Sequence, residues 1–278
     1  MTIVVKIGGA RAVDPAGALA DIESLVSDGE RVVVVHGGST AVDELLEDVG
    51  VEPEYVTTPS GVTGRFTNAE TMTYFTMAMA GRVNTKLVVG LRDAGVNALG
   101  LSGVDGGLLT GPRKGAVRVI EDGKKKIRRG DHSGRIESVN AELLELVLDA
   151  GYTPVVSVPM LANDGVAVNT DADRSAAAVA GALGATLVVL TDVSGVYEDP
   201  ADESTRIRRI RTPDELNTAE KAAEGFMSKK VMAATEALDG GARAVIIADA
   251  NRPNPIRSAI DGDGTVFEAS CLEGVTGS

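Results

Sequence analysis

Short runs rich in β-branched residues punctuate the chain: TIVVKI (2–7), RVVVVH (31–36), VNALGL (96–101), YTPVVSV (152–158), ATLVVLT (185–191) and ARAVIIA (242–248). Each ends in glycine or a turn, and helix-length segments lie between them. Near-continuous apolar runs suit strands buried on both faces, so the alternation predicts an α/β fold, an open and mostly parallel sheet sandwiched by helices. Two helix starts are marked by TNAE (67–70) and TPDE (212–215), where a threonine cap, Thr67 or Thr212, precedes a glutamate three residues on. Pro213 takes the first turn of the second. One segment breaks the rhythm: AVRVIEDGKKKIRR (116–129) holds two alternating runs about Asp122-Gly123, which predicts an antiparallel hairpin inserted into the fold. With no low-complexity linker and no repeat, the expectation is two lobes of one continuous domain, 1–165 and 166–268, followed by a flexible tail over 269–278.

Composition narrows the function classes. The 278 residues suffice for a large core. Forty acidic against 27 basic residues give a formal charge of −13, which repels polyanions and argues against nucleic acid or an anionic membrane as partner. Only 9 of the basic residues are lysine, aromatics are 3% and tryptophan is absent, a composition suited to a strongly hydrated acidic surface in high salt and read here as halophilic. Cys271 is the single cysteine, so no internal disulfide forms, and a reducing interior, the cytoplasm, is expected. No apolar run approaches the roughly 18 residues of a membrane span. Met1 leads directly into the first strand without a signal-peptide pattern, so a soluble, unprocessed protein is expected.

The first strand ends in Lys6-Ile7-Gly8-Gly9 and the second in His36-Gly37-Gly38-Ser39. Parallel strands bring both glycine turns to one carboxyl edge, where such sheets bind ligands. Glycine lets backbone N–H groups approach phosphate oxygens, and the helix after Gly38 adds a positive dipole end. Neither a GxxxxGK[ST] loop nor a GxGxxG run occurs, which disfavours P-loop and dinucleotide-binding domains. A lone GG after a strand is otherwise just a tight turn. Lys6 changes that: a lysine within an apolar strand is costly to bury unless it meets a negative charge.

At this point KIGG, HGGS, GRFTNAE, NTDAD, TDVSG and GFMSKKV, in one order, resemble the amino-acid kinase family and within it the acetylglutamate kinase group, from about residue 3 to residue 267. The resemblance implies transfer of the γ-phosphoryl group of ATP, with Mg2+, to a carboxylate. It implies a substrate-binding lobe over 1–165 and a nucleotide-binding lobe over 166–268. By the same resemblance Lys6 and Lys230 contact the moving phosphoryl group, and Asp173 holds the two ammonium groups. Gly8 and Gly9 lie on the nucleotide, as do Thr191, Asp192, Gly195 and Tyr197 of TDVSGVY. Gly37, Gly38, Asn169 and Arg65 face the substrate, Arg65 as a clamp on its α-carboxylate. Magnesium is expected on the phosphates, with no dedicated metal cage. An ionised carboxylate needs no general base, so alignment and charge neutralisation are enough. Ser39 replaces a third glycine common after HGG; it keeps the backbone donor. The arginine-inhibited members carry an extra helix before the first strand, so neither that feedback nor its hexamer is expected, while a homodimer is.

The hairpin decides between acceptors. Lys124, Lys125, Lys126, Arg128 and Arg129 cluster in an acidic chain, and Arg135 follows where acetylglutamate kinases usually have an acidic residue. This segment resembles the kinases that act on glutamate or α-aminoadipate attached to the acidic amino-group carrier protein LysW, and a basic hairpin would steer such a partner. An acetylglutamate kinase acting on the free amino acid, and a non-catalytic nucleotide- or oxyanion-binding protein, remain alternatives.

Overall fold

The computed structural model describes residues 1–9, 15–59, 61, 63–121 and 123–273. Its strands are β1 (Thr2–Ile7), β2 (Arg31–His36), β3 (Tyr55–Thr57), β4 (Thr63–Arg65), β5 (Ala98–Gly103), β6 (Leu109–Gly111), β7 (Arg113–Glu121), β8 (Lys124–Gly134), β9 (Ser138–Val139), β10 (Thr153–Ala162), β11 (Ala167–Val168), β12 (Thr186–Thr191), β13 (Arg209–Ile210), β14 (Ala244–Asp249) and β15 (Thr265–Glu268). The α-helices are α1 (Ala16–Ser27), α2 (Ser39–Asp48), α3 (Ala69–Thr76), α4 (Asn84–Asp93), α5 (Ala141–Asp149), α6 (Ala172–Ala182), α7 (Pro213–Ala222), α8 (Gly225–Asp239) and α9 (Pro255–Ile260). A π-helical segment, Met77–Val83, joins α3 to α4.

The main sheet runs β13-β15-β14-β12-β1-β2-β10-β6-β9, with β5 and β11 also paired to β10. Its centre is parallel: β1 pairs with β2 and β12, β2 with β10, and β12 with β14. Antiparallel pairs, β14 with β15, β6 with β9 and β10 with β11, lie toward its periphery. Among the described residues β3 and β4 form one separate two-stranded sheet, and β7 and β8 another.

Strand residues alternate between two cores because successive side chains point to opposite faces. Ile3, Val5 and Ile7 join Val32, Val34, Val188 and Leu190 beneath α1, α4 and α9. Val4 joins Val33, Val35, Leu187 and Val189 on the side of α2, α5, α6 and α8. Each such side chain, fully buried, contributes about 1.5–3 kcal/mol, so the register is strongly fixed. Lys6 falls in step with Val4. The period of two therefore aims its ammonium at α6 and α8.

The expected strands are all present, β5 lying two residues later than its apolar run. The hairpin spans 113–134 rather than 116–129, because its strands continue into the residues beside the sheet. Gly123 sits at φ +72, as a tight turn requires, while Asp122 lies outside the described residues. Two expectations are corrected. Asn68, not Thr67, caps α3, accepting from Thr71 N at 2.8 Å. The tail does not begin at 269: Ala269–Leu272 form a 3-10 turn that buries Cys271 in the core, and 274–278 lie outside the described residues. At Thr212 the capping box is complete. Among the described residues no helix is long and apolar enough to cross a membrane.

Candidate active site

The NTDAD motif builds the centre of the site one residue at a time. Asn169 is tied by its backbone to β8, receiving Gly134 N–H at 2.9 Å and donating to His132 O at 2.7 Å. Thr170 turns inward and donates to Val158 O of β10 at 2.7 Å. Asp171 caps α6, accepting from Asp173 N at 2.9 Å and Arg174 N at 3.1 Å. Asp173 then falls on the stripe of α6 that carries the buried Ala176, Ala177 and Ala180, so its carboxylate points into the protein.

What it meets there is cationic. Lys6 Nζ lies 2.7 Å from Asp173 Oδ1, and Lys230 Nζ lies 3.1 Å from Oδ2. Lys6 is 6% exposed and Asp173 7%, so the contacts are little screened by water. Lys230 stands on the stripe of α8 shared with Ala234 and Ala237. Burial pushes the Asp173 carboxyl up, but Lys6 and then Lys230 outweigh it and hold the group below the usual carboxylate range. One carboxylate thus positions two ammonium groups, one from the end of a strand and one from within a helix, 224 positions apart in the sequence.

The helices carrying Asp173 and Lys230 are clamped together. Arg174 Nε and Nη2 donate to the two carboxylate oxygens of Glu236 at 2.7 and 2.6 Å. At the other end of α6 a Cβ on Gly181 would lie 2.8 Å from Gly240 O, so only glycine allows this approach.

Beside Lys6 the two glycine turns mesh backbone to backbone. A Cβ on Gly9 would lie 2.1 Å from Gly38 N, and one on Gly37 would lie 3.1 Å from Gly9 N. Gly38 is the N-cap of α2, whose first turn has no side-chain cap, leaving backbone donors and the positive end of its dipole for an anion. Behind the turn His36 is buried; its Nδ1 lies 3.0 Å from Gly37 O, and Asn84 Nδ2 lies 3.1 Å from its Nε2. Asn84 also donates to Val155 O at 2.8 Å, which makes Nε2 the acceptor and Nδ1 the protonated nitrogen. Burial lowers the His36 pKa to about 4, against a raising contribution from Gly37.

Arg65, at the end of β4, reaches the start of α2. It donates to Asp43, to Ser39 O at 3.2 Å and to Tyr55 Oη at 2.9 Å, with its guanidinium 5.0 Å from the Tyr55 ring. These bonds use three of its five N–H donors. Tyr55 Oη donates in turn to Asp43 at 2.8 Å. Thr67, displaced from its expected capping role, accepts from Asn169 Nδ2 at 3.1 Å, while its carbonyl accepts from His132 N. Lys229 leaves α8 on another side from Lys230 and donates to Thr63 O of β4 at 3.1 Å. Sequence reasoning missed Asp43, Tyr55 and the Lys229 bridge. Their partners lie on other elements, and no local spacing signals them.

Past β12, Thr191 donates to Asp192 at 3.0 Å and Ser194 N donates to Tyr197 Oη at 3.2 Å. Gly195, at φ +145, leaves room for Thr265, whose Oγ1 would sit 2.5 Å from a Cβ there. Ser194 and Tyr197 line a cleft of about 250 Å³ with Arg206, Arg208 and Arg252. Lys124, Lys125, Lys126, Arg128 and Arg129 lie along β8, away from this centre, and Arg135 pairs with Glu137.

Paired lysines on one buried carboxylate, beside a helix start with no side-chain cap at the carboxyl edge of a parallel sheet, define a phosphotransferase. The comparisons agree. The family model described as "Amino acid kinase family" matches residues 1–249, and the chain belongs to that family. The "[LysW]-aminoadipate kinase" of Thermus thermophilus is 43% identical over 270 residues, 95% of this chain and 99% of that one. The "Acetylglutamate kinase" of Methanopyrus kandleri is 40% identical over 265 residues, 95% and 98%. Among solved structures, N-acetylglutamate synthase of Neisseria gonorrhoeae superposes with a TM-score of 0.73 at 24% identity, which bears on the fold; it covers 96% of this chain, which spans 59% of that longer protein.

Proposed function

We propose that the protein transfers the γ-phosphoryl group of ATP to the side-chain carboxylate of glutamate or α-aminoadipate carried on a LysW-type carrier protein, giving an acyl phosphate. The observation that carries the chemistry is Asp173 bridging Lys6 and Lys230. The phosphoryl group in flight carries charge on its equatorial oxygens, and two ammonium groups fixed in advance neutralise it without reorganisation. The attacking carboxylate is already ionised, so no side chain has to take a proton. Gly8 and Gly9 supply amides to the phosphates, Gly37 and Gly38 line the acceptor side, the Gly37 N–H being spent on Ile7 O at 3.0 Å, and Thr191, Asp192, Gly195 and Tyr197 flank the nucleoside. Asn169 and Arg65 orient the acceptor, Arg65 with its two remaining N–H donors while Asp43 and Tyr55 hold its plane. Magnesium travels on the triphosphate, whose oxygens are its natural ligands.

The acceptor is read from the T. thermophilus relative's name and from the basic hairpin. The M. kandleri relative favours a second reading, phosphorylation of free N-acetylglutamate. Hydroxamate trapping with ATP and, side by side, carrier-linked glutamate, carrier-linked α-aminoadipate and free N-acetylglutamate separates them. Turnover on the free acetylated amino acid alone would sink the carrier reading. Replacing Lys6 or Lys230 by methionine should lower kcat about 100- to 1000-fold; full kcat in either variant would remove the site assignment. We further infer a cytoplasmic homodimer serving arginine or lysine synthesis, and a salt-adapted surface. Full stability and activity in dilute buffer would refute the last.

A further inference from the structure

The pleat of the β7–β8 ribbon sorts cations that the sequence presents as one cluster. Glu121 pairs with Lys124, Ile120 with Lys125, Val119 with Lys126, Arg118 with Ile127, Val117 with Arg128 and Ala116 with Arg129. Because side chains alternate along each strand, Val119, Glu121, Lys126 and Arg128 share one face while Arg118, Lys125, Ile127 and Arg129 share the other. Val119 is fully buried, so the first face is turned toward the protein. There Lys126 and Arg128 are matched, while Lys124, opposite Glu121 beside the turn, is exposed at the ribbon's tip. Arg128 Nη1 lies 2.7 Å from Glu54 and 3.0 Å from Glu121, its guanidinium is 4.6 Å from the Phe66 ring, and Lys126 Nζ lies 3.0 Å from Glu121.

The second face is different. Arg118, Lys125 and Arg129 are exposed and form no ion pair among the described residues. Ile127 lies among them, 59% exposed, in a chain whose net charge is −13. Unmatched cations around an exposed apolar side chain complement an acidic partner with some apolar surface, and they repel neither.

We propose that this outward face, formed by Arg118, Lys125, Ile127 and Arg129, is the docking surface for an acidic segment of the carrier protein that presents the acceptor carboxylate. The proposal rests on the function proposed above and names the face that serves it, adding Arg118 and excluding Lys124, Lys126, Arg128 and Arg135. β8 runs from the face to the site through a bulge at Gly130, and Ser133 near its end bridges to Asn169. At about 3.3 Å per residue, Arg129 and Lys125 stand roughly 13 and 26 Å along the strand from Ser133. A carrier seated here reaches Asn169 through an extended segment of roughly four to eight residues, whereas a free amino acid gains nothing from the patch. The cations steer the encounter and weaken with salt, because the screening length is only about 3 Å at 1 M. Ile127 contributes a contact that salt does not screen.

The test uses the full chain and carrier-linked glutamate. Arg118→Glu/Lys125→Glu/Arg129→Glu should raise the KM for the carrier-linked acceptor about 30-fold or more in dilute salt. The effect should shrink as salt rises, with the KM for ATP and the melting temperature of the parent. Should the triple variant fold poorly, Lys125→Gln/Arg129→Gln should still give a rise of several-fold. Ile127→Ser should raise KM at high and low salt alike. If the triple variant keeps the parent KM while Lys124→Glu/Lys126→Glu raises it, the face assignment is wrong and the carrier reading stands. If no hairpin variant changes KM, the docking surface lies elsewhere and the proposal is overturned. Equal kcat/KM for free and carrier-linked acceptors in the parent would instead overturn the carrier reading itself.

Discussion

Asp173→Asn removes one charge and almost no volume, so it isolates what the carboxylate does. Ammonium groups bound to opposite oxygens of one carboxylate are at most about 8 Å apart, and at an effective dielectric of about 20 they repel each other by at least about 2 kcal/mol. In the variant nothing offsets that repulsion. Either orientation of the amide also turns its NH2 group toward Lys6 or Lys230. Removing one partner of a buried ion pair typically costs about 3–5 kcal/mol, which for a chain of this size lowers the melting temperature by roughly 10 °C. ATP brings anionic charge to the orphaned cations and should restore much of that loss. The KM for ATP should therefore stay level or fall, while kcat drops about 100-fold or more because the ammonium groups no longer hold their alignment. Steady-state kinetics and thermal melts with and without ATP read both effects. The reasoning is refuted by a variant that keeps kcat within a few-fold, or whose loss lies entirely in a raised KM for ATP.

Further expectations follow from the same geometry. Gly9→Ala places a Cβ 2.1 Å from Gly38 N, backbone against backbone, so ATP affinity should fall at least about tenfold and stability by about 1–3 kcal/mol. Gly81→Ala, with nothing within 4 Å of its added carbon, serves as the comparison in isothermal titration. For His36, the folded pKa of about 4 lies below the unfolded 6.5, so its contribution is complete above pH 6.5 and is lost as pH falls toward 4. The loss amounts to about 3 kcal/mol, and Asp173, also depressed, acts in the same direction at lower pH. Urea melts from pH 7 to 4 should show this slope, and His36→Asn should flatten it. Lys229→Met, which severs the bridge to Thr63, should raise the KM for the acceptor several-fold and leave kcat within a few-fold, unlike Lys230→Met.

Lys6 was legible in the sequence because an ammonium inside a Val and Ile strand has one inexpensive explanation, a buried counter-charge, and the period of two fixed its face. Asp173 and Lys230, and their meeting on one carboxylate, came from the family resemblance of NTDAD and GFMSKKV alone, since the contact depends on α6 and α8 packing together, which no local pattern encodes. Arg65 was visible as a cation in a glycine-bearing loop. Its anchors Asp43 and Tyr55 were not, since their contact exists only once β3 and β4 fold over α2. At TNAE the threonine expected as cap is drawn away by tertiary structure: Asn169 recruits Thr67, leaving Asn68 to the helix. Along KKKIRR the charges could be counted but not assigned to faces until the turn fixed which residues stand opposite one another.

The interlocked glycine turns carry a consequence for how such a catalyst can be repurposed. Where Gly9 meets Gly37 and Gly38 there is no room for a side chain, so an anion bound by these turns would meet main chain alone, and mutation has almost nothing there to vary. The two hairpins, by contrast, form sheets separate from the central one among the described residues. A designer seeking a new acceptor would exchange those ribbons and leave the meshed turns intact.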